Sequence, residues 1–401
     1  MIEGKYTLFI RIPIYKNKHN KLFTSDLWAK DLKLHLDYIT SFNLCCPIIY
    51  SDDASLLESM TNITEYKIDH IYELREDRGL FSVITNFFPN FFKVIKASRQ
   101  TDIAHSGGAG WAFPLSFYLL ICSIFLQFKW IVVIESSFWF KNSDEKFNLR
   151  RFINHHVHMW FLPRCLSKAD ARIFTHRGYK NLLLKNENEA VFINPAIWIN
   201  EGDIRDIKSY RKSRSSIDEG SSPFNIIFPA RLIEDKGIFL VFEAIEILKN
   251  ANAKFNLSII GEGPLSNICK EFANQNNGNV SVSFLEPVNY GTEFFSVLRN
   301  YDMLLVANLK DEQPRIIYDA FSQGLGVIGP DTDGVKDILE DRLTGLLFEK
   351  NNPADLASKI IKAIQDKGLV TKLGESGLLF VKNKNHQSMH TDRERFLKKV
   401  L

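Results

Sequence analysis

A chain of 401 residues is too long for one compact core, and at about 150 residues per domain it predicts two or three domains. Hydrophobic residues make up 45% and charged residues 24%, which excludes global disorder, a collagen-like repeat and a disulfide mini-scaffold. The 50 Lys and Arg against 47 Asp and Glu leave a net charge of +3, too small a basic excess for a dedicated nucleic-acid binder.

The strand and helix signals run as follows. Residues 6–12 read as a strand and 26–39 as an amphipathic helix. A weak strand at 102–105 leads into a Gly-rich turn at 106–110. The apolar run 115–126 (LSFYLLICSIFL) is short of the ~20 residues needed to span a bilayer, so it reads as a core helix feeding the strand WIVVI at 130–134. The polar, Ser-rich segment 209–223 (SYRKSRSSIDEGSSP) reads as a domain linker. Strands and helices then alternate. Strands are expected at 224–228, 255–260, 280–284, 303–307, 325–328 and 345–348. Helices are expected at 237–248, 293–298, 314–321 and 354–364. Such alternation builds a parallel sheet covered on both faces, with ligands beyond the carboxyl ends of its strands. Two α/β domains imply a cleft between them as the default ligand site. The five cysteines, Cys45, Cys46, Cys122, Cys165 and Cys269, match neither a disulfide ladder nor a zinc motif. The amino terminus lacks the apolar core of a secretory signal, so a reducing, cytoplasmic setting is expected.

Two segments carry chemistry. In FPARLIEDKG (228–237), Arg231 and Lys236 follow a strand end and could face an anion over the sheet edge. Their plain alternative is a pair of solvated cations, although a cation at a helix start opposes the helix dipole. In NLKDEQPRIIYDAFSQG (308–324), Asp311 and Glu312 precede Pro314, a first-turn proline, and Asp319 follows within the helix. Carboxylates around a helix start that offers N–H groups to an anion could accept hydrogen bonds from ribose or a hexose. An acidic cap with one amphipathic Asp is the alternative.

The order R-x4-K-G, then G-x-G-P after a strand, then an acid-x7-acid segment containing P-R and ending D-A-F-x-Q-G resembles the family 4 retaining glycosyltransferases of the GT-B fold. The likeness is close over about 224–366. It extends more loosely to WAKDL (28–32), KADARIFTHRGY (168–179) and the terminal MHTDRERFL. The resemblance implies an α/β GT-B protein, with two Rossmann-like domains facing each other across a cleft. Residues 1–208 would form the acceptor-side domain, 209–223 the linker and 224–379 the nucleotide-sugar domain, with a helix in 380–401 packing back on the first domain. Arg231 and Lys236 match the pair that holds the donor diphosphate. Gly261 and Gly263 match the turn beside the nucleotide, and Arg315 and Ile316 sit at the helix start under the diphosphate. Asp311 stands where the first Glu of the family motif contacts the transferred sugar, and Asp319 where the second holds the ribose. Both are one methylene shorter than Glu. Glu312, one residue out of register, is the alternative for the first role. His105, in IAHSGGAGW, resembles the family's active-site His, with a buried structural His as the other reading. Glu135 is a second cleft candidate.

The implied activity is retaining, metal-independent transfer of a sugar from a nucleotide diphosphate sugar to a glycan or lipid-linked acceptor in bacterial surface polysaccharide synthesis. No cofactor beyond the donor and no nucleic-acid partner are expected. The expected place is the cytoplasm, peripheral on the inner face of the membrane. An inactive GT-B binding or scaffold subunit and a GT-B nucleotide-sugar epimerase stay as alternatives.

Other patterns carry less. GEGPLS lacks the third Gly of a dinucleotide fingerprint. Asp331 and Asp333 spell D-x-D, too short a pattern to count. His155, His156 and His158 have no neighbouring acid or Cys to complete a metal site. The segment 13–21 (PIYKNKHNK), with Lys16, Lys18, His19 and Lys21, reads as a basic loop that either meets a lipid-linked phosphate or is solvated. Segments 86–96 and 148–164 combine aromatic with basic residues, as interfacial helices do; the alternative is two helices facing the core.

Overall fold

The computed structural model describes residues 1–108, 113–136, 139–141, 148–184, 190–215 and 223–401. The chain divides into an amino-terminal unit, Met1–Pro195 with Met389–Leu401, and a carboxyl-terminal unit, Ala196–Ser388. Part of the expected Gly-rich turn, 109–112, lies outside the described residues.

The amino-terminal unit runs β1 (Ile2–Phe9), β2 (Ile14–Lys16), β3 (Leu22–Thr24), α1 (Asp26–Leu36), β4 (Ile39–Tyr50), α2 (Ala54–Glu58), β5 (Thr61–Asn62) and β6 (His70–Leu74). It continues through α3 (Leu80–Ser98), β7 (Ile103–Gly107), α4 (Leu115–Cys122), β8 (Lys129–Ile134), α5 (Leu149–Lys168), β9 (Ala171–Phe174), α6 (Arg177–Leu183) and β10 (Val191–Ile193). The sheet order is β10-β9-β8-β7-β1-β4-β2-β3-β5, with β6 also paired to β4. The strands from β10 to β4 run parallel, and β3 pairs antiparallel with β2 and β5.

Alternation along the strands separates two cores, because successive side chains of a strand point to opposite faces. Phe9, Trp130, Val132 and Ile134 pack with residues of α3, α4, α5 and α6. Tyr6, Leu8, Ile131 and Val133 pack on the other face with Trp28, Ala29 and Leu32 of α1 and with Leu397. All five cysteines are buried thiols. The segment 13–21 is a loop only in part: 14–16 form β2, and 17–21, with Lys18, His19 and Lys21, form the turn of a hairpin. Asn20, at φ 59°, turns the chain so that β2 and β3 form a hairpin against β4, and Lys16 bonds Glu73 at 3.3 Å.

The carboxyl-terminal unit holds α7 (Ile207–Ser215), β11 (Asn225–Pro229), α8 (Ile238–Asn250), β12 (Phe255–Ile260), α9 (Ser266–Gln275), β13 (Val280–Leu285), α10 (Thr292–Leu298) and β14 (Met303–Leu305). α11 (Ile316–Ser322), β15 (Gly326–Pro330), α12 (Asp333–Lys336), β16 (Gly345–Phe348), α13 (Pro353–Gln365) and α14 (Lys367–Val381) complete it. Six parallel strands lie in the order β13-β12-β11-β14-β15-β16. One core joins α8, α9 and α13 to the sheet, and the other joins α10 and α11. The last helix, α15 (His386–Val400), supplies its residues from Met389 onward to the amino-terminal unit.

The division between units falls at Pro195/Ala196, upstream of the Ser-rich segment expected as the linker. Residues 209–215 of that segment are helical instead. Tyr210 of α7 is fully buried and donates to the Thr371 carbonyl at 3.0 Å, while Arg214 bonds Asp302 at 2.6 Å. Those contacts make α7 part of the carboxyl-terminal unit; residues 216–222 lie outside the described residues.

Candidate functional site

The strands β11, β12 and β14 end at one edge of the carboxyl-terminal sheet, and a cavity of about 480 Å³ opens there. Its walls are Phe228–Arg231, Lys236, Ile260, Gly261, Val306, Asn308 and the stretch from Glu312 to Ile316, with Asp319 and the loop residues Pro287, Val288 and Tyr290. The close approach of the loops after β11 and β12 needs glycine. A Cβ on Gly261, at φ 148°, would lie 1.9 Å from the Ala230 oxygen, and one on Gly263, at φ 154°, would lie 2.5 Å from the Leu232 oxygen. Gly263 lines an adjoining hollow with Arg231 and Gly261.

Seven of the eleven site candidates named from the sequence therefore line one cavity: Arg231, Lys236, Gly261, Glu312, Arg315, Ile316 and Asp319. Lys236 is bonded to Glu312 Oε1, which also accepts from Asn308 Nδ2 at 2.9 Å. Arg315 stacks its guanidinium on Trp198 and on Tyr290, 5.4 and 5.7 Å from the ring centroids. Asp319 is buried and accepts from the Tyr290 hydroxyl at 2.8 Å. Burial, then the Asp319 charge, push the Tyr290 phenol far above its usual range, so it stays protonated and donates. Sequence reasoning missed Tyr290. It lies in a loop without a motif, and only the fold brings it to Asp319.

Asp311 takes a different place. Its Oδ1 accepts the Gly334 N–H at 2.7 Å, satisfying one orphan donor in the first turn of α12, and its side chain does not line the cavity. The helix after Pro314 also differs from expectation. α11 begins at Ile316, with Arg315 as its cap, and spans only seven residues. So short a helix supplies little dipole, and charge compensation for an anion falls to Arg231, Lys236 and Arg315.

His105 lies in the amino-terminal unit, on β7, 5% exposed and with Nδ1 2.6 Å from the Tyr6 hydroxyl. Burial, then the nearby His35 and Arg393, push the imidazole well below its usual range, so it is neutral. The Tyr6 phenol is pushed well up by burial. Beside the imidazole, Asp31, His35 and His390 form a buried cluster with ligating atoms within 4.8 Å of one another. His390 Nε2 is 3.0 Å from Asp31 Oδ1, and Arg393 Nη1 is 3.3 Å from His35 Nε2. The Arg393 charge there is a poor neighbour for a metal cation. Glu135 follows β8 directly and is exposed. The discounted histidines are occupied locally: His156 and His158 each bond the carbonyl four residues back, and His158 stacks on Trp139 at 5.1 Å. Asp331 accepts the Lys350 N–H at 3.1 Å, and Asp333 lies 3.5 Å from Lys336.

Residues 209–380 match the family model described as Glycosyl transferases group 1. An uncharacterised glycosyltransferase of Methanocaldococcus jannaschii is 26% identical over 329 residues, covering 79% of this chain and 81% of that protein. CapM of Staphylococcus aureus, a capsular polysaccharide biosynthesis glycosyltransferase, is 24% identical over 40% of this chain and 42% of its own. Among solved structures, Anabaena HepE with UDP and glucose superposes with a TM-score of 0.66 at 13% identity, covering 99% of this chain and all of that one. Sucrose-phosphate synthase of Thermosynechococcus elongatus gives 0.68 at 13%, covering 99% of both. The fold is GT-B, and residues 209–380 carry the likeness to glycosyl transferases group 1.

Proposed function

We propose that the chain is a retaining glycosyltransferase of the family 4 kind. It moves a sugar from a nucleotide diphosphate sugar to a hydroxyl of a glycan or lipid-linked acceptor, at a membrane surface, in surface polysaccharide synthesis. The observation that carries this reading is the convergence of three cations, Arg231, Lys236 and Arg315, with the carboxylates of Glu312 and Asp319 around one cavity at the sheet's carboxyl edge. Solved GT-B structures hold UDP and glucose, and CapM acts in capsule synthesis; both facts support the donor class and the setting.

In this reading Arg231 and Lys236 bind the diphosphate, where negative charge grows as the glycosidic bond breaks. Charge placed in advance at that point stabilises the transition state more than the ground state. The acceptor hydroxyl attacks from the face the diphosphate leaves, and a departing phosphate oxygen takes its proton, which retains the anomeric configuration. Asp319, held by Tyr290, accepts the ribose hydroxyls. Glu312 faces the cavity and takes the sugar hydroxyls, while Asp311 braces the loop against α12. Lys236 leaves Glu312 for the phosphate when donor binds, which releases the carboxylate for the sugar.

The test is incubation with a panel of nucleotide diphosphate sugars and lipid-linked or glycan acceptors, reading nucleoside diphosphate release and the product anomer by NMR. Transfer with retained configuration is expected. An inverted product overturns the mechanism, and donor interconversion without acceptor points to an epimerase.

A further inference from the structure

The outer surface of the amino-terminal unit carries the strongest feature that the donor cavity leaves unused. α3, α4 and α5 cover one face of the sheet, with α4 in the middle. Phe87 and Phe91 of α3 pack on Tyr118 at 5.3 and 5.8 Å, and Phe161 of α5 packs on Phe117 at 5.9 Å. Their outward sides therefore share one surface, turned away from the sheet.

On an ordinary amphipathic helix that side is polar. On α3 it is not. Phe81, Ile84, Phe88 and Phe92 follow one another at helical spacing and are exposed, Phe81 at 81% and Phe92 at 65%. The inward side is already filled by Val83, Val94 and Ala97, so α3 is apolar on both sides. α5 repeats the pattern with Leu149, Ile153, Val157 and Trp160, all exposed. Ile124 and Phe125, just after α4, are exposed as well. Exposed apolar side chains repeated along two helices of one layer mark an interaction site.

Charge identifies the partner. α3 and α5 carry Lys93, Lys96, Arg150, Arg151, Arg164 and Lys168, and neither contains an Asp or Glu, although the chain has 47 of them. An isologous contact with a second copy would set one basic patch against another, and like charges oppose it. An anionic lipid surface satisfies both features, because aromatic side chains enter the acyl boundary while Lys and Arg stay at headgroup level. Trp160 and Arg164 show that arrangement in miniature, with the guanidinium 4.4 Å over the indole. Among the described residues no helix is long and apolar enough to cross a membrane, so these helices can lie on a bilayer but not span it.

We propose that the outward face of α3, the end of α4 and α5 form a docking surface for anionic phospholipid bilayers. The proposal names the partner surface within the reading of a membrane-bound acceptor, but it does not depend on glycosyl transfer. Its test uses no donor, so it can fail while the transfer reaction stands and only its membrane setting falls.

The experiment is co-sedimentation of the full chain with phosphatidylcholine vesicles, with and without phosphatidylglycerol, at low and high salt. Binding is expected to the phosphatidylglycerol vesicles, weaker at high salt. The double variant Phe88→Asp, Phe92→Asp should partition at least about tenfold less, since two aromatic insertions are lost. The variant Arg150→Glu, Arg151→Glu should lose the preference for anionic lipid. Phe88, Phe92 and Arg150 are exposed and Arg151 is half-buried, and an unchanged melting temperature confirms folding. No sedimentation with anionic vesicles at low salt overturns the proposal, as does equal partition of the Phe88→Asp, Phe92→Asp variant. A concentration-dependent dimer broken by that variant, with no vesicle binding, overturns it in favour of a homodimer interface.

Discussion

At the scale of single residues, the two cations and the two cavity acids should separate in kinetics. Arg231→Ala and Lys236→Ala each remove a charge aimed at the leaving diphosphate, and each should lower kcat by ~10²–10³. In the proposed reading Asp319 holds the ribose alike in ground and transition states, so Asp319→Asn should raise the donor KM with kcat nearly kept. Tyr290→Phe should move the same parameter by less, because it only frees Asp319 to turn. Glu312→Gln should lower turnover. Asp311→Ala should instead cost about 1 kcal/mol of stability through the lost Gly334 bond, read as a lower melting temperature with turnover largely kept. If Asp311→Ala abolishes transfer in a folded protein, the assignment of the sugar to Glu312 is wrong. Activity should also survive EDTA. A strict Mn2+ or Mg2+ requirement would contradict charge compensation by Arg231, Lys236 and Arg315. The cavity residues were legible because they sit in two short segments beside strand ends. The split between Asp311 and Glu312 was not, because it depends on Gly334, more than twenty residues onward, offering its N–H to one of two adjacent acids.

At the scale of elements, α1 and α15 meet in the buried network of Asp31, His35, Tyr38, His390 and Arg393. Burial pushes His390 down to about 3, against about 6.5 in an unfolded chain. Its folded pKa is the lower one, so between those values the unfolded state binds the extra proton. Stability is fully present above about pH 6.5 and is lost as pH falls, at up to ~1.4 kcal/mol per pH unit for one such group. His105 acts in the same direction. Melting curves from pH 7.5 down to 4.5 should show the decline, and His390→Gln should flatten it. An unchanged slope in that variant would remove His390 from the account. This network joins residues more than 350 positions apart and leaves no local signal in the sequence. β4 was also unread, since Pro47 argues against a central strand. Its ladder tolerates the proline where pairing passes to other neighbours: β1 pairs with it as far as Cys45, and β2 only from Ile48. The polar, Ser-rich segment 209–223, closed by a proline, reads as a linker because only Tyr210 and Arg214 of its helical part are buried.

At the scale of the whole molecule, the two units differ in how far the sequence describes them. In the carboxyl-terminal unit each strand is short and followed by its own helix, so the alternation of periods reveals the parallel sheet almost element by element. In the amino-terminal unit the hairpin of β2 and β3 and the strand β6 depart from that alternation, and the helices α3 and α5 are apolar outside as well as in, which blurs their amphipathic signal. That blur is itself informative, since it is the surface assigned above to lipid. The account's central claim is that the carboxyl-terminal cavity binds a nucleoside diphosphate through Arg231 and Lys236. Calorimetric titration of UDP, GDP, ADP, CDP and dTDP into the full chain, the Arg231→Ala variant and the Lys236→Ala variant tests it most directly. The account predicts binding of at least one of these by the unaltered chain, weakened about tenfold or more in each variant; no binding by the unaltered chain, or equal affinity in both variants, would contradict it.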